Sequence, residues 1–362
     1  MDKAEQGLET VAAAFRAGAA LYTGMGAPLY AALCRDAADE PELLALALRG
    51  QDGARPMHLF SAAHYLLLKD PSDPLSRFFA TLHPNPEPPA GAIGELKRFC
   101  RARCDEIEDL LATRTVQTTF VERCRALVAP MAVVAERAGE PLNLIEIGCS
   151  AGVLLTFDKY AYDLNAQGRV GPADAPFVLA GEVRGGPSLR IPRIGARIGL
   201  DLHPVDVGSE EARRWLLALC FPEFREQQAR LATALEVVAR TPIDFRQGDA
   251  LDLLPAALAA APDPLCVFHS ACLFYWSAEA RAALDAMLLD ASRTRELWRI
   301  GIEPTDSWNA WNRGHAAGEA EAQAAGGRPS GAVSIWRYAA GGAECRFVAR
   351  NTADYGRLDW IG

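Results

Sequence analysis

The run Leu142-Asn143-Leu144-Ile145-Glu146-Ile147-Gly148-Cys149-Ser150-Ala151-Gly152 sets a carboxylate and two small-residue turns directly after an apolar stretch. Leu142, Leu144 and Ile147 suit a central strand. Gly148 and Gly152 let the backbone turn tightly and approach a ligand without a Cβ in the way. From Ala151 onward the residues read as a helix, and a strand, a turn and a helix N-terminus together present backbone N–H groups to a nucleotide-like ligand. Two further carboxylates end later apolar runs. Asp201 follows Arg197-Ile198-Gly199-Leu200 and is placed to accept hydrogen bonds from ribose hydroxyls, with Leu202 and His203 covering an adenine face. Asp249, in Gln247-Gly248-Asp249-Ala250, is placed to take an adenine amine, with the Ala250 N–H beside it. Each also has an ordinary role as a turn or helix-cap residue.

Read as Glu146-x-Gly148-x-Ser150-x-Gly152, the run resembles the first motif of class I S-adenosylmethionine-dependent methyltransferases, with Ser150 where most carry a middle glycine. Read as Gly148-x-Ser150-x-Gly152, it matches the nucleophile elbow of α/β-hydrolases. A third reading needs the small residues only for packing. The hydrolase reading requires several strands before the elbow, and the chain offers none there, although His203, His269 and His315 with Asp201 or Asp249 follow in a permitted order. The methyltransferase reading requires carboxylates at the ends of successive strands, and Glu146, Asp201 and Asp249 supply them.

The elements that position these groups change character near residue 140. Before it the chain reads as helices. Phe120, Cys124, Leu127, Met131 and Val134 form an amphipathic stripe that Pro130 should kink or divide, and Ile93, Leu96, Cys100, Ile107 and Leu111 form another. His83-Pro84-Asn85-Pro86-Glu87-Pro88-Pro89 reads as a linker between two groups of helices. After it, short apolar runs alternate with helical stretches, which predicts an α/β fold with a mainly parallel, Rossmann-like sheet. Strands are expected near Leu142–Ile147, Arg197–Leu202, Ile243–Arg246, Leu265–His269 and Leu297–Glu303, and a hairpin near Val333–Tyr338 and Cys345–Ala349. Phe177–Leu179 and Gly185-Gly186-Pro187 suggest an inserted excursion. The run from Thr305 to Gly331, with Trp308, Trp311 and His315, reads as a lid or a surface loop. The expected division is an N-terminal helical domain over 1–138 and a Rossmann-like domain over 139–362.

With 50% apolar and 23% charged residues the chain has a globular composition, and its net charge of −9 argues against broad nucleic-acid or anionic-membrane binding. A small-molecule partner fits better. The N-terminus lacks a signal-peptide pattern and no apolar run reaches membrane-span length, so a cytoplasmic location is expected. Nine cysteines without a framework suit a reducing compartment, and Cys100 with Cys104 lacks a second pair to make a metal site.

Over nearly its whole length the sequence resembles an uncharacterised bacterial family, domain of unknown function number 2332. The residues that carry this are Gln117-Thr118, Glu146 to Gly152 with Asp158-Lys159-Tyr160-Ala161-Tyr162, Gly199 to Asp206, Gly248-Asp249-Ala250, and His269-Ser270. The resemblance implies a class I methyltransferase-type fold with an N-terminal helical domain and brings no established reaction. Family members usually continue Gln-Thr with Asn-Glu and the second glycine with Leu-Asn, where this chain has Thr119-Phe120 and Val153-Leu154.

Methyl transfer is an in-line displacement, so the protein aligns acceptor and methyl group and removes a proton where the acceptor carries one. His269, closing the fourth strand, has the pKa for that role or else is bonded into the core. Ser270 joins the cofactor contacts, Tyr275 and Trp276 wall an acceptor site or simply pack, and Glu303 is a weaker candidate expected to pair with an arginine. Arg114, Gln117 and Thr118 form a polar island between helical stripes and are expected to bind the acceptor at a cleft between the two domains. The reading is thus an S-adenosylmethionine-dependent methyltransferase acting on a small molecule. The alternatives are a non-catalytic cofactor-binding sensor or interaction protein of the same fold, and a serine hydrolase using Ser150.

Overall fold

The computed structural model describes residues 3–164, 168–304 and 331–361. The expected lid, with Trp308, Trp311 and His315, lies outside them apart from Gly331. The chain divides into two compact units, residues 1–119 with 208–232, and residues 120–207 with 233–362. The division thus falls at 119/120 rather than at 138/139, and a segment from well inside the second half joins the N-terminal helices.

In the first unit the helices Pro28–Ala37, Pro41–Ala47 and Arg55–Lys69 each carry proline in the first turn, where the missing N–H costs no hydrogen bond. Their apolar faces close around an aromatic cluster in which Phe60 meets Phe15 and Tyr30, and Tyr30 meets Phe79. Residues 208–232 belong here because Phe221 packs on Tyr22 and Tyr30, and because the Trp215 indole N–H donates to the Thr115 carbonyl at 2.8 Å. The stripe from Ile93 to Leu111 forms two helices, Ala92–Ala102 and Cys104–Thr113. The proline-rich linker is pinned by Arg225, whose guanidinium donates to the Ala80 and His83 carbonyls.

The second unit holds strands β1 (Leu142–Ile147), β2 (Ala161–Asp163), β3 (Val178–Ala180), β4 (Glu182–Arg184), β5 (Ile194–Asp201), β6 (Asp244–Gln247), β7 (Leu265–Ser270), β8 (Leu297–Pro304), β9 (Gly331–Ala339), β10 (Gly342–Asn351) and β11 (Arg357–Trp360). Nine form one mixed sheet in the order β4-β11-β10-β9-β8-β7-β1-β5-β6, and β2 pairs with β3. From β6 to β8 all pairs are parallel, while β8, β9, β10 and β11 run as an antiparallel meander. The fold is therefore α/β with a mostly parallel sheet, as the alternating runs predict. The expected hairpin is β9–β10. Sequence reading did not find β11, which pairs in parallel with β4 and so anchors the inserted excursion. Both edge strands, β4 and β6, are short, and each carries an exposed charge pair on its own backbone, Glu182 with Arg184 and Asp244 with Arg246.

β1 and β7 are buried along their whole length, as central parallel strands must be. One face, with Ile145, Ile147, Leu200 and Val267, packs on Leu254, Leu258, Leu284 and Leu288 of the helices Ala250–Ala260 and Ala278–Ala291. The helix Cys124–Ala138, which runs through Pro130 unbroken, packs on β8, β9 and β11. The chain moves from β1 to β5 and β6 on one side and returns to β7 and β8 on the other. The order reverses between β1 and β7, and their carboxyl ends flank the crevice where such sheets place ligands.

One buried group sets a pH dependence. His64, completely buried in the helical unit, has Nδ1 3.0 Å from the Ala218 carbonyl and Nε2 2.9 Å from the Thr81 hydroxyl. The carbonyl can only accept, so Nδ1 carries the proton and Nε2 accepts from Thr81. Burial pushes the imidazole pKa from 6.5 down to about 4. The unfolded chain therefore takes up this proton first, so stability present above pH 6.5 is lost as pH falls towards 4. The loss from this group is roughly 3 kcal/mol. Denaturant unfolding of wild type and His64→Asn should show a stability gap that narrows by about that amount over this window. A gap that stays constant with pH would rule out His64 as the titrating group.

Candidate functional site

The turn after β1 is held by β5. Gly148, Ser150 and Gly152 have φ of 74°, 51° and 72°, so Ser150 adopts a left-handed conformation that glycine takes at no cost. The Ser150 N–H donates to Asp201 Oδ2 at 2.8 Å, the His203 N–H donates to Asp201 Oδ1 at 2.9 Å, and the Gly148 N–H donates to the Leu200 carbonyl at 2.8 Å. Asp201, 8% exposed, thus fixes two loops with one carboxylate. The glycines are fixed by their neighbours. A Cβ on Gly148 would lie 2.5 Å from Cys272 Sγ, and one on Gly152 would lie 2.8 Å from the Phe245 ring.

The helix expected from Ala151 onward is a short 3-10 segment, Leu154–Lys159, with a non-helical Thr156 inside it. Arg197 of β5 imposes this. Its guanidinium donates to the Leu155 carbonyl at 2.9 Å and pairs with the nearly buried Asp158 at 2.6 Å, while the Thr156 hydroxyl donates to the Val153 carbonyl. The backbone carbonyl and the carboxylate are drawn to the strand instead of to a helical turn.

The sheet splits the expected site residues between its faces, because paired residues of neighbouring strands share a face and alternate residues do not. Glu146 pairs with Gly199 and Phe268, so Glu146, Asp201 and Ser270 share one face. Glu146 is 2% exposed, and its Oε2 has no hydrogen-bond partner among the described residues. Burial, and then the Asp201 carboxylate, raise its pKa well above the usual range, with Arg123 opposing. The Ser270 hydroxyl is likewise buried without a partner. Arg123 lies just before the helix Cys124–Ala138. It stacks over Phe120 at 5.4 Å and donates through Nη1 to the Ser270 carbonyl at 3.3 Å, while its buried Nε has no partner among the described residues.

His269 pairs with Ile147 and Gly301 and so faces the other way. It is fully buried, and its Nδ1 lies 2.7 Å from Glu303 Oε1. The same oxygen accepts the Cys272 and Leu273 N–H groups, each at 3.1 Å, and Oε2 accepts from Phe274 at 3.3 Å. Gly301 makes room for the imidazole, since a Cβ there would lie 2.9 Å from its Cε1. Burial lowers the His269 pKa and the Glu303 contact only opposes that, so the ring is neutral and donates to the carboxylate. A side chain with no exposed surface has no direct route to a bound acceptor. His269 and Glu303 instead clamp the 271–274 loop, in which Ala271 also takes a left-handed φ of 50°. Glu303, expected to pair with an arginine, pairs with this histidine and three backbone groups.

Tyr275, just beyond the clamp, is 79% exposed, and Trp276 packs into the core. Leu202, after Asp201, is 60% exposed. Asp249 is an N-cap, accepting the Leu251 N–H at 2.8 Å, with Ala250 opening the helix behind it. Arg114, Gln117 and Thr118 belong to the helical unit, where Arg114 follows the helix Cys104–Thr113 and makes a 3.5 Å surface pair with Glu211. Sequence reading missed Arg123. Its only mark in the sequence is a cation at the start of the helix that leads into β1, and Arg125 two residues on shares that mark.

Residues 12–360 match the family described as "Uncharacterized protein conserved in bacteria (DUF2332)", and the chain belongs to that family. No curated protein and no solved structure matches it. Among the described residues no helix is long and apolar enough to cross a membrane.

The contact between Gly148 and Cys272 ties the β1 turn to the clamped loop. Gly148→Ala should cost about 1–2 kcal/mol for its left-handed backbone, plus about 1–3 kcal/mol of overpacking against the sulfur. Cys272→Ala in the same chain should restore the overpacking part, giving a coupling of roughly 1 kcal/mol or more in a double-mutant cycle of unfolding free energies. Strict additivity would show that the two loops do not press on one another.

Proposed function

We propose that this protein is an S-adenosylmethionine-dependent methyltransferase acting on a small-molecule acceptor, with a Rossmann-like sheet of the class I methyltransferase type. The observation that carries the reading is the buried, unpartnered oxygen of Glu146, on the same sheet face as Asp201 and Ser270 and beside the strand-order reversal. An unmet buried acceptor costs about 1–3 kcal/mol, and native proteins retain few without a reason.

The residues present fit the cofactor. Asp201 accepts the Ser150 N–H through Oδ2 and the His203 N–H through Oδ1, and it stands at the end of β5, where a ribose hydroxyl would meet a carboxylate. Asp249 is exposed at the end of β6, in place for the adenine amine beside the Ala250 N–H, and the exposed Leu202 offers an apolar surface to the base. Glu146 and Ser270 present unmet polar atoms to the amino-acid end. When bound, the cofactor supplies a methyl group on a sulfonium for in-line displacement. Gly148 and Ser150 shape the floor, and Tyr275 offers an exposed ring and hydroxyl towards an acceptor.

A second reading, a cofactor-binding protein without catalysis, is favoured by one observation. The histidine at the strand end is sealed in the core and engaged with Glu303 rather than open to an acceptor. The hydrolase reading is weakened because no strand precedes β1 among the described residues.

Calorimetry with S-adenosylmethionine and S-adenosylhomocysteine should show binding of both. Incubation with labelled cofactor and a small-molecule extract should then move label into the extract. Binding without transfer across varied extracts would favour the sensor, and no binding of either compound would reject the methyltransferase reading.

A further inference from the structure

We infer that Arg123, with Glu146 and Ser270, forms a subsite for a zwitterionic α-amino-acid group at the β1/β7 crevice, Arg123 taking the carboxylate and Glu146 the ammonium. This deepens the proposed function, because the cofactor carries such a group, but the chemistry of the subsite is independent of the nucleoside. Three buried polar atoms have no hydrogen-bond partner among the described residues: Arg123 Nε, Glu146 Oε2 and Ser270 Oγ. Glu146 and Ser270 are 2% and 4% exposed. One contact joins Arg123 to the strand end that bears Ser270, its 3.3 Å bond to the Ser270 carbonyl, and its charge acts directly on Glu146. The Arg123 guanidinium is held on one side by the Phe120 ring and retains donors beyond that single bond, the geometry with which arginine grips a planar carboxylate.

Charge selects the ligand class. Glu146 feels both the Arg123 cation and the Asp201 carboxylate. A phosphate would bring its negative charge up to these acids, whereas a carboxylate and an ammonium carried on one carbon match the alternation of Arg123 and Glu146. An uncharged ligand would leave the guanidinium and the acid unmet.

The test separates the amino-acid end from the nucleoside. S-Adenosylhomocysteine and 5′-methylthioadenosine share the nucleoside, and only the first has the α-amino-acid group. Calorimetry on the full chain should show that Arg123→Gln weakens S-adenosylhomocysteine by about ten- to hundredfold, the usual span for a charge-assisted hydrogen bond, with methylthioadenosine changed by less than about twofold. Ser270→Ala, which deletes a hydroxyl with no hydrogen-bond partner among the described residues, should keep the melting temperature and weaken S-adenosylhomocysteine alone, by a smaller factor. If Arg123 merely positions the 270–275 loop, both ligands weaken together, and that result overturns the proposal. Equal affinity of wild type and Arg123→Gln for S-adenosylhomocysteine overturns it as well. A panel of free amino acids, methionine and homocysteine included, distinguishes the sources. If no adenosyl compound binds but an amino acid does, and Arg123→Gln abolishes it, the subsite stands and the methyltransferase reading falls. If nothing in either set binds, the subsite is refuted with it.

Discussion

Two buried carboxylates, Asp201 and Glu303, fix the loops at the carboxyl edge of the sheet, and the arrangement of that edge depends on them. A parallel sheet delivers every strand to the same edge and leaves the following turns without ladder partners. Asp201 accepts from Ser150 and His203, and Glu303 accepts from His269, Cys272, Leu273 and Phe274. Each therefore compensates a loop that carries a non-glycine residue at positive φ, Ser150 in one and Ala271 in the other. Cys272 against the bare Cα of Gly148 then locks the two loops edge to edge. Asp201 has a structural task whatever else it binds, so loss of affinity on replacing it mixes the two effects. Arg123 and Ser270 offer cleaner probes.

Much of this was legible because burial leaves a mark on the sequence. The largely apolar runs of β1, β7 and β8 announce strands covered on both faces, and the carboxylates Glu146, Asp201 and Asp249 stand at or beside strand ends because that is where polar side chains reach the edge. What was not legible depends on contacts between distant residues. Alternation gives the face of each residue within its strand, but register decides that His269 lies opposite Glu146, and register comes from pairing across the sheet. The helix expected after the glycine turn failed because Arg197, some forty positions downstream, draws Asp158 and the Leu155 carbonyl to β5. Residues 208–232 join the helical unit through Trp215 and Phe221, whose partners lie in the first half of the chain. Arg123 carries no motif, and only the folded chain gives its guanidinium neighbours.

The site so assembled is asymmetric. On the face of Glu146 the polar groups are incompletely satisfied, while on the face of His269 the carboxylate is saturated with donors. Each face thus carries one loop-fixing carboxylate, Asp201 on the Glu146 side and Glu303 on the His269 side. An unmet group in a pliable loop would turn to the nearest backbone partner, so the loops held by Asp201 and Glu303 are what keep Glu146 and Ser270 in place.

The edge strands carry a consequence for association. β4 and β6 are only three and four residues long, and the Glu182–Arg184 and Asp244–Arg246 pairs stand on them as charged posts. A backbone seeking to extend the sheet would gain few hydrogen bonds at either end and would have to strip water from ions to form them. The sheet is closed to growth in both directions, so the most adhesive surface in an α/β protein is switched off here.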